Sequence, residues 1–296
     1  MLKRLCIAGV SEQVNIPLQL CIEQGLFALK GLDVDFKVVP GGTGAMVELL
    51  EKKEVDVALT VTDGFIAGKV AGKKIVLAGT YVQSPLTWAL VSRPGCVPQQ
   101  LTKYGISRVG SGSQTMAFYN ALLEGVQKDA LEFTVSDNFD GLRRDLHAGK
   151  SDAFLWELFT TKPWIDSKEL SLIKEVTTPW TAFSFVVSSE AKAETKETIK
   201  THLFPVLREG VRLFTAQGAR SEMVARICKE HKHTEADALK WLSQCEYAVT
   251  EGSPDFAVQR RGLVLSLDVL REAGVVPEGF STQKLWDGDE KLITLM

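Results

Sequence analysis

Along the first hundred residues, short apolar runs alternate with segments whose apolar positions recur at helical spacing. Residues 2–10 read as a strand. Pro17 opens a helix, since proline suits a first turn, and Leu18, Cys21, Ile22 and Leu26 keep its period. Gly25 and Gly31 are turn signals. Val34, Phe36 and Val38 alternate with Asp35 and Lys37, the period of a strand. A glycine loop, Gly41-Gly42-Thr43-Gly44, precedes a short helix carrying Met46, Leu49 and Leu50. Strands are predicted over 55–61, 75–82 and 87–92, with a helix capped by Asp63 and running to about residue 71. Strands joined by short helices imply βαβ units and a largely parallel sheet.

The segment Arg93-Pro94-Gly95-Cys96-Val97-Pro98 breaks this pattern and marks a crossing to a second lobe. Strands then follow over 106–109, 131–135, 152–156, 170–177 and 183–188, with helices over 113–126 and 139–148. From Ala191 onward the pattern is helical, with segments over 203–214, 222–230, 235–245 and 256–273. The expected fold class is α/β and two-lobed, each lobe a mostly parallel sheet flanked by helices, with a helical C-terminal third. Ligands bind outside the carboxyl ends of strands in such folds, so two facing lobes imply a shared cleft.

Composition narrows the classes of function. The chain has 296 residues, 45% hydrophobic and 24% charged, with a net charge of −3. Near-neutrality argues against a nucleic-acid partner, and no apolar run is long enough to insert in a membrane. The apolar run 5–10 is too short for a signal core and lacks a cleavage site, so a cytoplasmic location is expected; a periplasmic one requires a leader removed from the chain. The five cysteines are widely spaced and form no Cys-x-x-Cys pair, which reads as free thiols. His231 and His233 lie in a polar stretch and read as solvated helix-end residues. No metal site and no cofactor are expected. The sequence leaves the oligomeric state open.

Candidate binding residues cluster in loops that follow strands and precede helices. These are Glu12, Gln13 and Asn15; Gly42 and Thr43; Thr62 and Asp63; and Ser111, Ser113 and Gln114, with Ser84 in addition. Hydroxyls and free N–H groups at helix starts suit anions, although the same residue types serve as plain caps. The glycine content of 41–44 and 110–113 exceeds what a cap requires and allows close backbone approach. Neither loop matches a dinucleotide or P-loop pattern. In the segment 152–164, Trp156 and Glu157 fall at a strand's carboxyl end. The indole can stack on a planar ligand and the carboxylate can accept from an amino or amidine group; core packing and pairing with Lys162 are the bland alternatives. Trp180 is either a cleft wall or a packing residue, whereas Trp88, Trp241 and Trp286 read as core. No nucleophile–base or metalloprotease pattern is present, so no catalytic residue is assigned and the chain reads as a non-enzyme.

The order of these motifs resembles the type II periplasmic-binding-protein family, in the branch of nitrate, sulfonate, taurine and thiamine-pyrimidine-precursor binders. Gly25-Leu26-Phe27, Gly31-Leu32-Asp33-Val34, the 41–46 loop with Val55-Asp56-Val57-Ala58, and Gly110-Ser111-Gly112-Ser113 carry the likeness. Asp152 to Glu157, Thr161-Lys162-Pro163 and Thr178-Pro179-Trp180 resemble a small cytosolic fungal branch. The resemblance implies a hinged solute-binding protein with lobe one over 1–92 plus 190–296 and lobe two over 93–189. Its ligand would be a small polar or anionic metabolite, heteroaromatic thiamine-pyrimidine-like molecules included. A thiamine-pyrimidine-synthase-like enzyme, or an importer component whose signal peptide is missing, are the alternatives.

Overall fold

The predicted alternation is realised as two five-stranded sheets, each covered by helices. A computed structural model describes residues 2–95, 101–249, 251–252, 254–258 and 260–285. In chain order the elements are β1 (Lys3–Gly9), α1 (Ile16–Glu23), α2 (Leu26–Leu29), β2 (Leu32–Val38), α3 (Gly42–Glu51), β3 (Val57–Val61), α4 (Thr62–Val70), β4 (Ile75–Val82) and β5 (Thr87–Ser92). Then come β6 (Lys103–Ile106), α5 (Gly112–Leu123), β7 (Glu132–Val135), α6 (Phe139–His147), β8 (Ala153–Glu157), α7 (Leu158–Asp166), β9 (Ser171–Thr177) and β10 (Phe183–Ser188). The last third is helical: α8 (Ala193–Thr198), a π turn at Ile199–Leu203, α9 (Phe204–Thr215), α10 (Arg220–His231), α11 (Glu235–Gln244) and α12 (Arg260–Glu272). Among the described residues, no helix is long and apolar enough to cross a membrane.

The first sheet has the order β2-β1-β3-β10-β4 and the second β7-β6-β8-β5-β9. The βαβ units pair in parallel, as the alternation requires: β1 with β2 and β3, and β6 with β7 and β8. The two strands that enter a sheet from the other lobe run the opposite way. β10 is antiparallel to β3 and β4, and β5 to β8 and β9, so each sheet is mixed. This exchange also moves the lobe boundaries expected at 92/93 and 189/190. β5 belongs to the second sheet and β10 to the first, which places the crossings at 83–86 and 178–182. Arg93 to Pro98 is a loop within the second lobe's sequence, and its residues 96–98 lie outside the described residues.

The two crossings are tied to each other. Leu86 N donates to Thr178 Oγ1 at 3.2 Å, Thr178 N to Leu86 O at 3.0 Å, and Ala182 N to Ser84 O at 3.1 Å. Two short segments linked this way leave few residues to absorb any change in lobe angle.

The first sheet packs on an aromatic cluster. Phe185 lies 5.0 Å from Tyr81, 4.9 Å from Phe204 and 5.2 Å from Phe256, centroid to centroid. Burying each such ring contributes about 1.5–3 kcal/mol. Helices α1 and α9 cross at Gly210, where an added Cβ would stand 2.3 Å from Cys21 Sγ and 2.5 Å from the Pro17 carbonyl oxygen. The helical third does more than cover one lobe. Lys162 of α7 reaches Asp237 of α11 at 3.6 Å, and Lys240 of α11 reaches Glu175 of β9 at 3.8 Å.

Several expected ends shift. The strand expected over 106–109 is β6, ending at Ile106, which frees residues 107–111 as a cleft loop. Residues 158–166 form a helix that periodicity concealed, because Pro163 interrupts it and aromatic residues break its stripe. Asp63 is not the cap of α4: Val61 takes that place and Asp63 sits inside the first turn. His233 is buried and His231 half-buried, their rings stacked 6.2 Å apart. Burial holds both below the usual histidine range, His233 down to about 4, so they are neutral packing residues rather than solvated ones.

Candidate functional site

The carboxyl ends of β1, β3, β6 and β8 face one another beside the crossings and border two adjoining cavities of about 320 Å³ and about 60 Å³. Glu12, Leu86, Glu157 and Phe183 belong to both walls, so the cavities are two chambers of one cleft.

The smaller chamber is built from helix starts. Gly41, Gly42 and Thr43 open α3; Ser107, Arg108, Ser111, Gly112 and Ser113 lead into α5; Trp88 and Trp156 add apolar walls. Ser111 caps α5, its side chain accepting from Gln114 N. Ser113 Oγ accepts from Ser107 N at 2.9 Å and lies 2.9 Å from Ser111 Oγ, so these hydroxyls shape the loop. Thr43 Oγ1 accepts from Val61 N at 3.2 Å and fixes α3 against β3.

Arg108 crosses from the second lobe to the first. An added Cβ at Gly44 would stand 2.8 Å from its Nη2, and one at Gly41 2.9 Å from its Nη1. The spare glycines of the 41–44 loop therefore make room for a guanidinium. Among the described residues no carboxylate pairs with that guanidinium, and burial lowers its pKa from the ordinary value. A partly buried cation and two helix N-termini give this end of the chamber positive groups, opposite the Glu12 and Glu157 carboxyls on its shared wall.

The larger chamber is acidic and amphipathic. Its walls are Glu12, Gln13, Ser84, Thr87, Glu157, Thr177 and Gln244 with Leu86, Phe159, Phe183 and Trp241. Glu157 is buried and caps α7: its carboxylate accepts from Phe159 N at 3.0 Å and from Thr160 N at 2.6 Å. Lys162 bonds Asp166 and Asp237 instead of Glu157. Glu12 starts the turn at 13–15 but makes no side-chain capping bond. Desolvation, then the neighbouring Glu157 charge, push Glu12 up to about 8, so it carries its proton near neutral pH. Glu157 is also raised by burial, while its capping bonds pull the other way.

Of the residues expected to bind, Glu12, Gln13, Gly42, Thr43, Ser84, Ser111, Ser113, Trp156 and Glu157 line the chambers. The other five take structural positions. Asn15 Nδ2 donates to the Val10 carbonyl at 2.8 Å, and Thr62 Oγ1 meets Ser184 Oγ at 2.9 Å. Gln114 Oε1 accepts from Gly110 N at 2.6 Å. Trp180 packs on Tyr119 at 5.4 Å. Asp63 is buried, one of its oxygens lacks a partner, and burial raises it to about 6. Trp88 and Trp241, expected as core, are buried and also face the cleft. Sequence reasoning missed Arg108, which fell inside the strand expected over 106–109 and stands in the cleft loop because β6 ends at Ile106. It also missed Leu86 and Phe183, which reach the cleft because the crossings pass beside it.

Among the described residues no group of three or more His, Cys, Asp or Glu side chains has the arrangement to hold a metal ion. Cys6, Cys21, Cys228 and Cys245 are free thiols.

Two lobes, a double crossing and a polar cleft between strand ends define a protein of the periplasmic-binding-protein fold. The chain belongs to the family defined by the Candida albicans CA3427 gene product, which it matches at 30% identity and TM-score 0.87 over 96% of this chain and 95% of that one. The Ca3427-like PBP family model matches residues 94–176. The alkanesulfonate-binding protein SsuA of Xanthomonas axonopodis pv. citri, bound to MOPS, aligns at 12% identity and TM-score 0.71 over 93% of this chain and 94% of that one. The periplasmic nitrate-binding protein NrtA of Synechocystis PCC 6803 aligns at 12% identity and TM-score 0.70 over 95% and 84%. These two share the fold. No curated protein sequence matches the chain.

Proposed function

We propose that this ligand-binding protein takes a small organic anion in the interlobe cleft and closes on it by hinge motion. The observation that carries the reading is Arg108, a guanidinium without a carboxylate partner among the described residues, set against the α3 glycines at a chamber with two helix N-termini. An anion there gains charge-assisted hydrogen bonds and offsets the cost of the half-buried cation. The alkanesulfonate- and nitrate-binding neighbours support an anionic group. Trp156 and Trp88 supply flat walls that suit a planar or heteroaromatic body. The proposal includes no bond-making step, and the cleft residues are assigned to binding alone. We further propose a cytoplasmic setting, since the family's defining member is a fungal gene product.

Native mass spectrometry of freshly purified protein checks the proposal, because a tight ligand travels with the chain and is weighed. Thermal melting with nitrate, phosphate, propanesulfonate and butyrate then screens for the anion. Stabilisation by one of them, with a smaller radius of gyration in solution scattering, is the expected result. Stabilisation by none, with no co-purified mass, would sink the reading.

A further inference from the structure

We propose, building on the anion-binding reading above, that the ligand is bipolar: its anionic end meets Arg108 in the smaller chamber, and a cationic nitrogen, ammonium or amidinium, lodges between Glu12 and Glu157 in the larger one. Two carboxyl groups share this wall, and neither meets a protein cation. Arg108 lines the smaller chamber, whose wall both carboxyls also join, but forms no ion pair with either among the described residues, and Lys162 is held by Asp166 and Asp237.

Their roles are unequal. Glu157 is held by two backbone N–H groups, which favour its charged form. Glu12 makes no side-chain hydrogen bond among the described residues and is half-buried against the same chamber. Beside it, Gln13 is 2% exposed, lines the chamber, and its amide also makes no hydrogen bond among the described residues. Its amide atoms are not among the fully buried unpartnered ones, so they open onto the cavity and can pair with what enters it. The unmet groups on this wall are a carboxyl and an amide, and a protonated nitrogen with several N–H donors satisfies both.

Besides Glu157, the charged group sharing a wall with Glu12 is Arg108, which lines the smaller chamber and makes no ion pair with Glu12 among the described residues; the other titratable side chains packed around this turn are neutral. Cys245 is pushed up to about 12 by burial. The Tyr81 and Tyr247 hydroxyls both donate to the Val14 carbonyl, and burial raises both well above the usual phenol range. Glu12 therefore holds a proton when the chamber lacks a cation, and an arriving ammonium sends that proton to solvent. Affinity for an aminated ligand then rises with pH up to about 8, where Glu12 ionises unaided.

The test is calorimetric titration of the full chain with two matched pairs, aminopropanesulfonate against propanesulfonate and aminobutyrate against butyrate. Each is run at pH 6 and pH 8, on the wild type and on Glu12→Gln. The aminated member of the binding pair is expected to bind at least about tenfold tighter at pH 8, and its advantage shrinks by up to about tenfold per pH unit on going to pH 6. Glu12→Gln flattens that pH dependence and removes the preference, and its melting curve reports that it is folded. Equal or weaker binding of the aminated member in the wild type overturns the bipolar ligand while leaving the anion reading intact. Binding of neither pair overturns both.

Discussion

The two chambers share four wall residues yet are built on opposite principles. The smaller is made of backbone: glycines, helix N-termini and hydroxyls already committed to the loops, with one cation laid across the lobes. The larger is made of side chains from the turn after β1, the crossings, β8 and α11, and its charge is held by a helix cap. Backbone dipoles aimed at a point need no reorganisation when a ligand arrives, whereas an acid pair adjusts by taking or losing a proton. The contrast teaches that one cleft can fix one end of a ligand rigidly and read the other end through a proton.

Four measurements would break or sharpen this contrast. The largest effect is expected from Arg108→Ala, which should weaken binding of the anion about 100-fold, the cost of truncating one charge-assisted partner in a desolvated site. Calorimetry reads it directly, and a loss under threefold would show that the helix starts hold the anion without the cation.

Asp63 probes how dry the seam behind the smaller chamber is. An added Cβ at Gly112 would stand 3.5 Å from its unpartnered Oδ2. Its carboxyl is raised from 3.8 to about 6, so the stability it contributes is full below pH 3.8 and is lost as pH rises through 6. Asp63→Asn does not titrate. It should therefore gain on the wild type by about 2 kcal/mol between pH 4 and pH 8 in denaturant melts. A gap that does not change with pH would mean that water reaches the seam.

Gly44→Ala separates stability from binding. Alanine favours the α3 helix by up to about 1 kcal/mol, yet its Cβ would press on the guanidinium, 2.8 Å from Nη2. The melting temperature should hold or rise while anion affinity falls about tenfold. Unchanged affinity would show that Arg108 acts from elsewhere.

The smallest effect concerns the cap. Glu157→Ala removes both acceptors from the start of α7 and should cost about 1 kcal/mol of stability in melts. If the variant is as stable as the wild type, the carboxylate is not working as a cap, and its place in the acidic wall must be explained by ligand alone.

Much of the fold was legible because it rests on local rules. The strands over 75–82, 87–92 and 183–188 end where their apolar runs end. Pro17 starts α1, and Gly25 and Gly31 turn the chain with φ of 67° and 77°. Glycine-rich loops after strands pointed to the cleft, since only short loops stand between a strand end and a helix start. The helix over 158–166 was hidden by its proline, and the exchange of β5 and β10 was invisible because both orders bury the same apolar strands.

The sequence by itself determined two sheet-based lobes, a helical last third and a cleft lined by residues 12–13, 42–43, 111–113 and 156–157. Tertiary structure alone decided that Arg108 meets Gly41 and Gly44, that Glu12 faces Glu157, and that the crossings lie at 83–86 and 178–182. The reason is physical. Backbone propensity and apolar period act over a few neighbouring residues, while charge and desolvation act through space, between groups that only the folded chain brings together.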